Sequence, residues 1–150
     1  MRLAVLAVCS AAALTGCSSP GPAVACTKTG MRSGVTVGWR PADFGGRDAA
    51  RIRLCVEGTC EERASGDPGD PFRSVTVRLP DDVGAVTVPV RLTVTSARTG
   101  DPVVADGARA KLAERHPNGR SCPPTAWTAV YRAEPGKGLT SPKGLSLQGG

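Results

Sequence analysis

From Val86 to Thr95 the chain alternates without a break. Val86, Val88, Val90, Leu92 and Val94 are apolar, and Thr87, Pro89, Arg91, Thr93 and Thr95 stand between them. A period of two puts the two sets on opposite faces of an extended strand, with the apolar set inward. Such a strand needs a second layer to cover that face. Pro89 has no N–H to give a ladder, which predicts an edge position or a bulge.

The same period recurs along the chain. Val35-Thr36-Val37-Gly38-Trp39-Arg40 alternates and stops at Pro41 and Gly45-Gly46. In residues 51–56, Ile52, Leu54 and Val56 share one face, and Arg51, Arg53 and Cys55 share the other. Val75, Val77 and Leu79 mark another strand, broken by Pro80-Asp81-Asp82. Trp127, Ala129 and Tyr131 mark a late strand, and Leu139 a short edge strand. Residues 103–112 fit either state: Ala108, Ala110 and Leu112 alternate, but alanine also favours helix. The pattern predicts an all-β fold, an antiparallel β-sandwich of immunoglobulin-like architecture with about seven short strands. That likeness is architectural only, since the inter-sheet Cys…Trp…Cys spacing and the tyrosine corner are missing. The domain is expected over residues 31–133, with an edge strand or tail over 134–150.

Ahead of the domain, Met1-Arg2 supplies one positive charge, and residues 3–14 are apolar apart from Ser10. Charge, a short apolar run and then small residues is the build of a secretory signal peptide. The run is shorter than the roughly 20 apolar residues of a membrane-spanning helix. It ends in Leu14-Thr15-Gly16-Cys17, which resembles the lipobox of bacterial lipoproteins. The resemblance implies that residues 1–16 are removed and that Cys17 carries a diacylglycerol. Two acyl chains hold a protein stably where one holds it marginally. The implied location is the cell membrane, lipid-anchored, on the extracytoplasmic face. Residues 17–30 form the anchor and linker, with Ser, Pro, Gly and Ala over 18–25 as a spacer. Eight extended residues reach at most about 25–30 Å.

The six cysteines then divide cleanly. Cys9 leaves with the signal peptide and Cys17 takes the lipid. Cys26, Cys55, Cys60 and Cys122 remain, an even number in an oxidising compartment, so two disulfides are expected from three possible pairings. Glu57-Gly58 reads as a two-residue hairpin turn. In that register Cys55 faces Cys60 at a non-hydrogen-bonded pair, where side chains come closest. Cys26–Cys122 is the remaining pair, tying the start of the domain to a late segment. Lipidation of Cys17 also removes what would be an odd thiol.

Two further stretches carry a resemblance. Leu54-Cys55-Val56-Glu57-Gly58-Thr59-Cys60 is similar to a Leu-Cys-Val-Asp-Gly-Thr-Cys hairpin of small uncharacterised bacterial lipoproteins. Asn118-Gly119-Arg120-Ser121-Cys122-Pro123-Pro124 is similar to a segment near their C-termini. Neither implies a known activity.

Residue types that carry chemistry are sparse. His116 is the sole histidine, set in Arg115-His116-Pro117-Asn118, and reads as a solvated loop residue. The carboxylates at Asp67, Asp70, Asp81 and Asp82 lack the spacing of a calcium loop. Glu61 and Glu62 point to opposite faces of a strand and so make no acid/base pair. Gly136-Lys137-Gly138-Leu139-Thr140 is not in phosphate-loop order. Removing residues 1–16 leaves 134 residues with 18 basic and 13 acidic side chains, a mature charge of +5. Arg51, Arg53, Arg91, Arg109 and Lys111 fall on outward strand faces, so the mild surplus favours anionic surfaces. Aromatic content of 3% speaks against nucleic acid. The expectation is a non-enzymatic lipoprotein module of the envelope with a binding or structural role and no cofactor. Its partners would be the membrane through Cys17, anionic envelope polymers or another envelope protein. The alternative is a secreted inhibitor or solute-binding protein that uses residues 64–73 or 116–126.

Overall fold

The computed structural model describes residues 25–141. The signal peptide, Cys17, most of the spacer and the end of the tail lie outside the described residues. Nine strands and one 3-10 turn follow one another. They are β1 (Gly34–Trp39), the turn Pro41–Phe44, β2 (Ala50–Val56), β3 (Thr59–Ala64), β4 (Arg73–Arg78), β5 (Thr87–Ser96), β6 (Pro102–Lys111), β7 (Ala113–Arg115), β8 (Ala126–Glu134) and β9 (Gly138–Thr140). The described residues are all-β, with nine strands where the alternation predicts about seven. The short edge strand expected at Leu139 is β9, three residues folded back on β8. β7 is unforeseen: it is three residues that carry the chain on from β6, too brief to show a period.

Two sheets form. Sheet 1 runs β4-β1-β8-β7, with β9 also paired to β8, and sheet 2 runs β3-β2-β5-β6. Every pairing is antiparallel except one. β1 and β8 run parallel, Gly34 opposite Thr128 and Gly38 opposite Arg132. Sheet 1 is therefore mixed, which corrects the antiparallel expectation. Parallel neighbours need a long crossover, and here all of sheet 2 lies between them in sequence.

The inner faces share one apolar core. Val35, Val37 and Trp39 from β1, Val75 and Val77 from β4, Ile52, Leu54 and Val56 from β2, and Val88, Val90, Leu92 and Val94 from β5 are all buried in it. Each such side chain contributes roughly 1.5–3 kcal/mol when removed from water. β1 is buried on its other face too, where the Phe72 ring lies so close over Gly38 that a Cβ would collide with it.

β5 overturns two local expectations. Val86 precedes the strand and is 40% exposed, because the chain is still crossing between sheets there. Pro89 sits in an inner strand rather than at an edge, between β2 and β6. Its carbonyl accepts from the Glu57 N–H at 3.3 Å, so its missing N–H also faces the β2 side. Val56, the last residue of β2, pairs with Val90, one step short of Pro89. The lost bond falls at a hairpin turn, where no ladder continues.

Residues 102–111 are strand. After Lys111 the chain leaves sheet 2, buries Leu112, and joins sheet 1 as β7. The Leu112 N–H donates to the Val86 carbonyl at 2.9 Å, and the Leu79 N–H to the Ser33 carbonyl at 3.0 Å. Ser33, Leu79, Val86 and Leu112 thus lie together where β1, β5 and β8 begin and β2 turns into β3. We call this the proximal end. At the distal end, Trp39 Nε1–H donates to the Ser65 carbonyl at 2.8 Å, joining the end of β1 to the end of β3.

Candidate functional site

The chain arrives at the proximal end under close control. Cys26 and Cys122 are disulfide-bonded with Cα atoms 5.6 Å apart. Beside them the Asn118 side chain uses its full hydrogen-bonding capacity. Its oxygen accepts from the Thr27 hydroxyl at 2.7 Å and the Thr29 N–H at 3.0 Å. Its amide donates to the carbonyls of Thr29 at 3.1 Å and Pro123 at 2.7 Å. Residues 26–29, expected as linker, are therefore held against the loop over 116–124. Ser33 completes the join, giving its N–H to Asp81 and accepting from the Trp127 N–H through Oγ. The sequence carries no local signal of this role for Asn118, because three of its four bonds go to Thr27 and Thr29, some 90 residues away. Asn118→Ala should lower stability by about 1–2 kcal/mol, since the partners stay near water and regain part of their bonding. A urea unfolding midpoint unchanged from wild type would count against the clamp.

Also at this end, β2 and β3 meet at Glu57-Gly58, where φ is 49° and 90°. Both values are positive, as the twist of a two-residue hairpin requires. Cys55 pairs with Cys60 across the strands, and a second disulfide joins them with Cα atoms 4.0 Å apart.

That disulfide lies on the outward face of sheet 2, the face that carries the basic residues. The register sets Arg91 between Cys55 on β2 and Gly107 on β6, and Arg109 opposite Pro89. Arg91 and Arg109 are diagonal neighbours, about 7–8 Å apart at the backbone. Between them opens a hollow of about 770 Å³, lined by Cys55, Glu57, Cys60, Pro89, Gly107, Arg91 and Arg109. The floor is hollow because glycine and proline lie between the arginines and a disulfide lies beside Arg91. Arg51, Arg53 and Lys111 extend the basic surface. Arg51 is bonded to Glu62 at 3.3 Å. Among the described residues, Arg53, Arg91, Arg109 and Lys111 have no carboxylate partner.

The other reactive side chains are spent on structure. His116 Nε2 lies 3.5 Å from Glu114, while its Nδ1 is buried without a partner. Asp67 pairs with Arg47, Asp70 lies 3.8 Å from Arg73, and Asp81 caps Ser33. Asp106 Oδ2 accepts from the Leu139 N–H at 2.8 Å and so ties β6 of sheet 2 to β9 of sheet 1. Gly138, at φ 75°, lets the chain pass against that carboxylate. No group of three or more His, Cys, Asp or Glu able to hold a metal is gathered among the described residues. Among the described residues, titration is shifted in two places, both on sheet 1. A hydrogen bond from Lys137 holds the Glu134 carboxyl below its usual range, and burial raises the Tyr131 phenol. No helix among the described residues is long and apolar enough to cross a membrane. The chain matches no protein-family model, no curated protein and no solved structure.

Proposed function

We propose that this is a membrane-anchored extracytoplasmic lipoprotein, in which a β-sandwich of immunoglobulin-like architecture acts as a non-enzymatic binding module of the envelope. The anchor rests on Leu14-Thr15-Gly16-Cys17 behind the apolar run, and on the resemblance to small bacterial lipoproteins. The architecture is supported by two sheets over one core and by the strand that passes from one sheet to the other through Leu112. The binding role rests on one observation: the outward face of sheet 2 carries five basic side chains against two carboxylates, Glu62 and Glu57, around an open hollow. A face built only for solvation has no need to leave Arg91 and Arg109 side by side, since like charges repel. The fit is to an anionic component of the envelope. The non-enzymatic reading is supported by the structural use of Asp67, Asp70, Asp81 and Asp106 and by the pairing of His116 with Glu114 alone.

The test is metabolic labelling with palmitate, followed by fractionation. The wild-type chain should be labelled and sediment with membranes. Cys17→Ala should carry no label and move to the soluble fraction. Label persisting in the variant would overturn the anchor.

A further inference from the structure

We infer that the hollow between Arg91 and Arg109 takes the phosphate of an anionic phospholipid headgroup, in the membrane to which the chain is anchored. This deepens the proposed function and rests on its anchor.

Position is the first argument. The chain enters the domain at the proximal end, where Cys26 and Asn118 fix it. The β2–β3 hairpin tip, the start of β5 and the end of β6 lie at that same end. Arg109 is two residues from Lys111, the last of β6, and Arg91 is four residues from Thr87, the first of β5. At about 3.4 Å per residue both lie within about 14 Å of the strand ends. Eight residues separate Cys17 from Cys26, a contour of at most about 30 Å. An acylated Cys17 therefore holds the proximal end within reach of the headgroups. The tether raises the effective concentration of lipid at the site, so each contact can be weak and still be occupied.

Chemistry is the second. Two guanidinium groups on adjacent strands, both without a carboxylate partner, present planar donor sets to one volume. Arginine forks match phosphate oxygens bidentately. The floor of Gly107, Pro89 and the Cys55–Cys60 disulfide adds no carboxylate to compete, and it leaves room for more than a bare ion. Arg53 and Lys111 on the same face add long-range attraction to an anionic leaflet. Glu57 is the one carboxylate that lines the hollow, since Glu62 is taken up by Arg51.

The experiment is arginine footprinting with a dicarbonyl reagent on the acylated full chain. The chain is held in vesicles of phosphatidylcholine, in vesicles of phosphatidylcholine mixed with phosphatidylglycerol, and in neutral detergent. Modification at each arginine is read by mass spectrometry. Arg91 and Arg109 should react about fivefold more slowly in the phosphatidylglycerol vesicles than in either other state, the factor expected of one basic residue engaged at an anionic surface. Arg40 and Arg98, at the distal end, should react alike in all three. Equal rates at Arg91 and Arg109 on chain that stays attached would overturn the headgroup site and leave the anchor standing. Equal slowing at Arg40 and Arg98 would also overturn it, as bulk charge attraction. Protection by inorganic phosphate in detergent, matching that in vesicles, would assign the hollow to a free anion and overturn the lipid source. Detachment from every vesicle would overturn the anchor and this inference with it.

Discussion

Replacing Cys26 and Cys122 together by alanine should lower the free energy of unfolding by about 4–5 kcal/mol. The link closes a loop with a sequence separation of 96. In the chain-entropy account, opening such a loop frees the unfolded ensemble more than opening a short one. The contrast is the other disulfide. Cys55 and Cys60 are separated by five positions, and the same account gives about 2 kcal/mol for that link. The turn at Glu57-Gly58 already favours closeness of the two cysteines in the unfolded chain, so the measured loss should be smaller still. For a domain of this size the long link should shift the thermal midpoint by about 15 °C, and the short link by a few degrees. Scanning calorimetry of the two double variants decides the order. If the short link costs as much as the long one, the incoming segment is not held as the structure shows. Asn118 clamps the same two segments, so Asn118→Ala on the opened background should cost less than it does alone. With the disulfide gone, residues 26–29 no longer stay in place for the amide to hold.

What could be read from the sequence was local, and what could not was long-range. The alternation in residues 51–56 and 87–95 fixes which residues face inward, because side-chain direction follows from a period of two alone. The Glu57-Gly58 turn is equally local: its dihedrals are demanded by the two residues and the strands beside them. Nothing local distinguishes a parallel from an antiparallel neighbour for β1, since its side chains alternate either way. Pro89 shows the same limit. It lacks a donor, which argues for an edge, yet the structure places the lost bond beyond the last residue of β2. The edge rule concerns unpaired N–H positions, and an inner strand that outruns its neighbour offers one. The hollow combines both kinds of information. That Arg91 and Arg109 point outward follows from period. That Gly107 and the disulfide lie between and beside them follows from the register of three strands, which the sequence does not display. Asn118 is the plainest case: it stands in an irregular stretch with no local signal of a role, and its side chain reaches Thr27 and Thr29.

Trp39→Ala should cost about 3–5 kcal/mol, the second large effect, and a comparison with Trp39→Phe separates its two causes. Trp39 is 0% exposed and is the largest fully buried side chain of the core. Truncation removes its apolar area and leaves a cavity that the flanking strands can close only in part. The indole also carries a specific bond. Its N–H donates to the Ser65 carbonyl, and Ser65 is itself 0% exposed. The Ser65 N–H gives to the Ala50 carbonyl at 2.8 Å, and Ser65 Oγ accepts from the Ala50 N–H at 3.2 Å. Ser65 thus closes the start of β2 against the end of β3, and Trp39 ties that closure to sheet 1. Phenylalanine keeps most of the packing but deprives a buried carbonyl of its donor, which costs about 1–3 kcal/mol. Trp39→Phe should therefore fall between wild type and Trp39→Ala in urea unfolding. Loss of the bond should also appear locally, as faster amide exchange at Ser65 and Ala50 than at Val35 or Val37. Equal costs for the two variants would place the whole effect in the indole bond. A phenylalanine variant as stable as wild type would place it in packing alone. Fluorescence reports on the same residue, since the chain has two tryptophans and Trp127 is only half-buried. Trp39→Phe should remove the blue-shifted part of the emission and leave the part that water quenches.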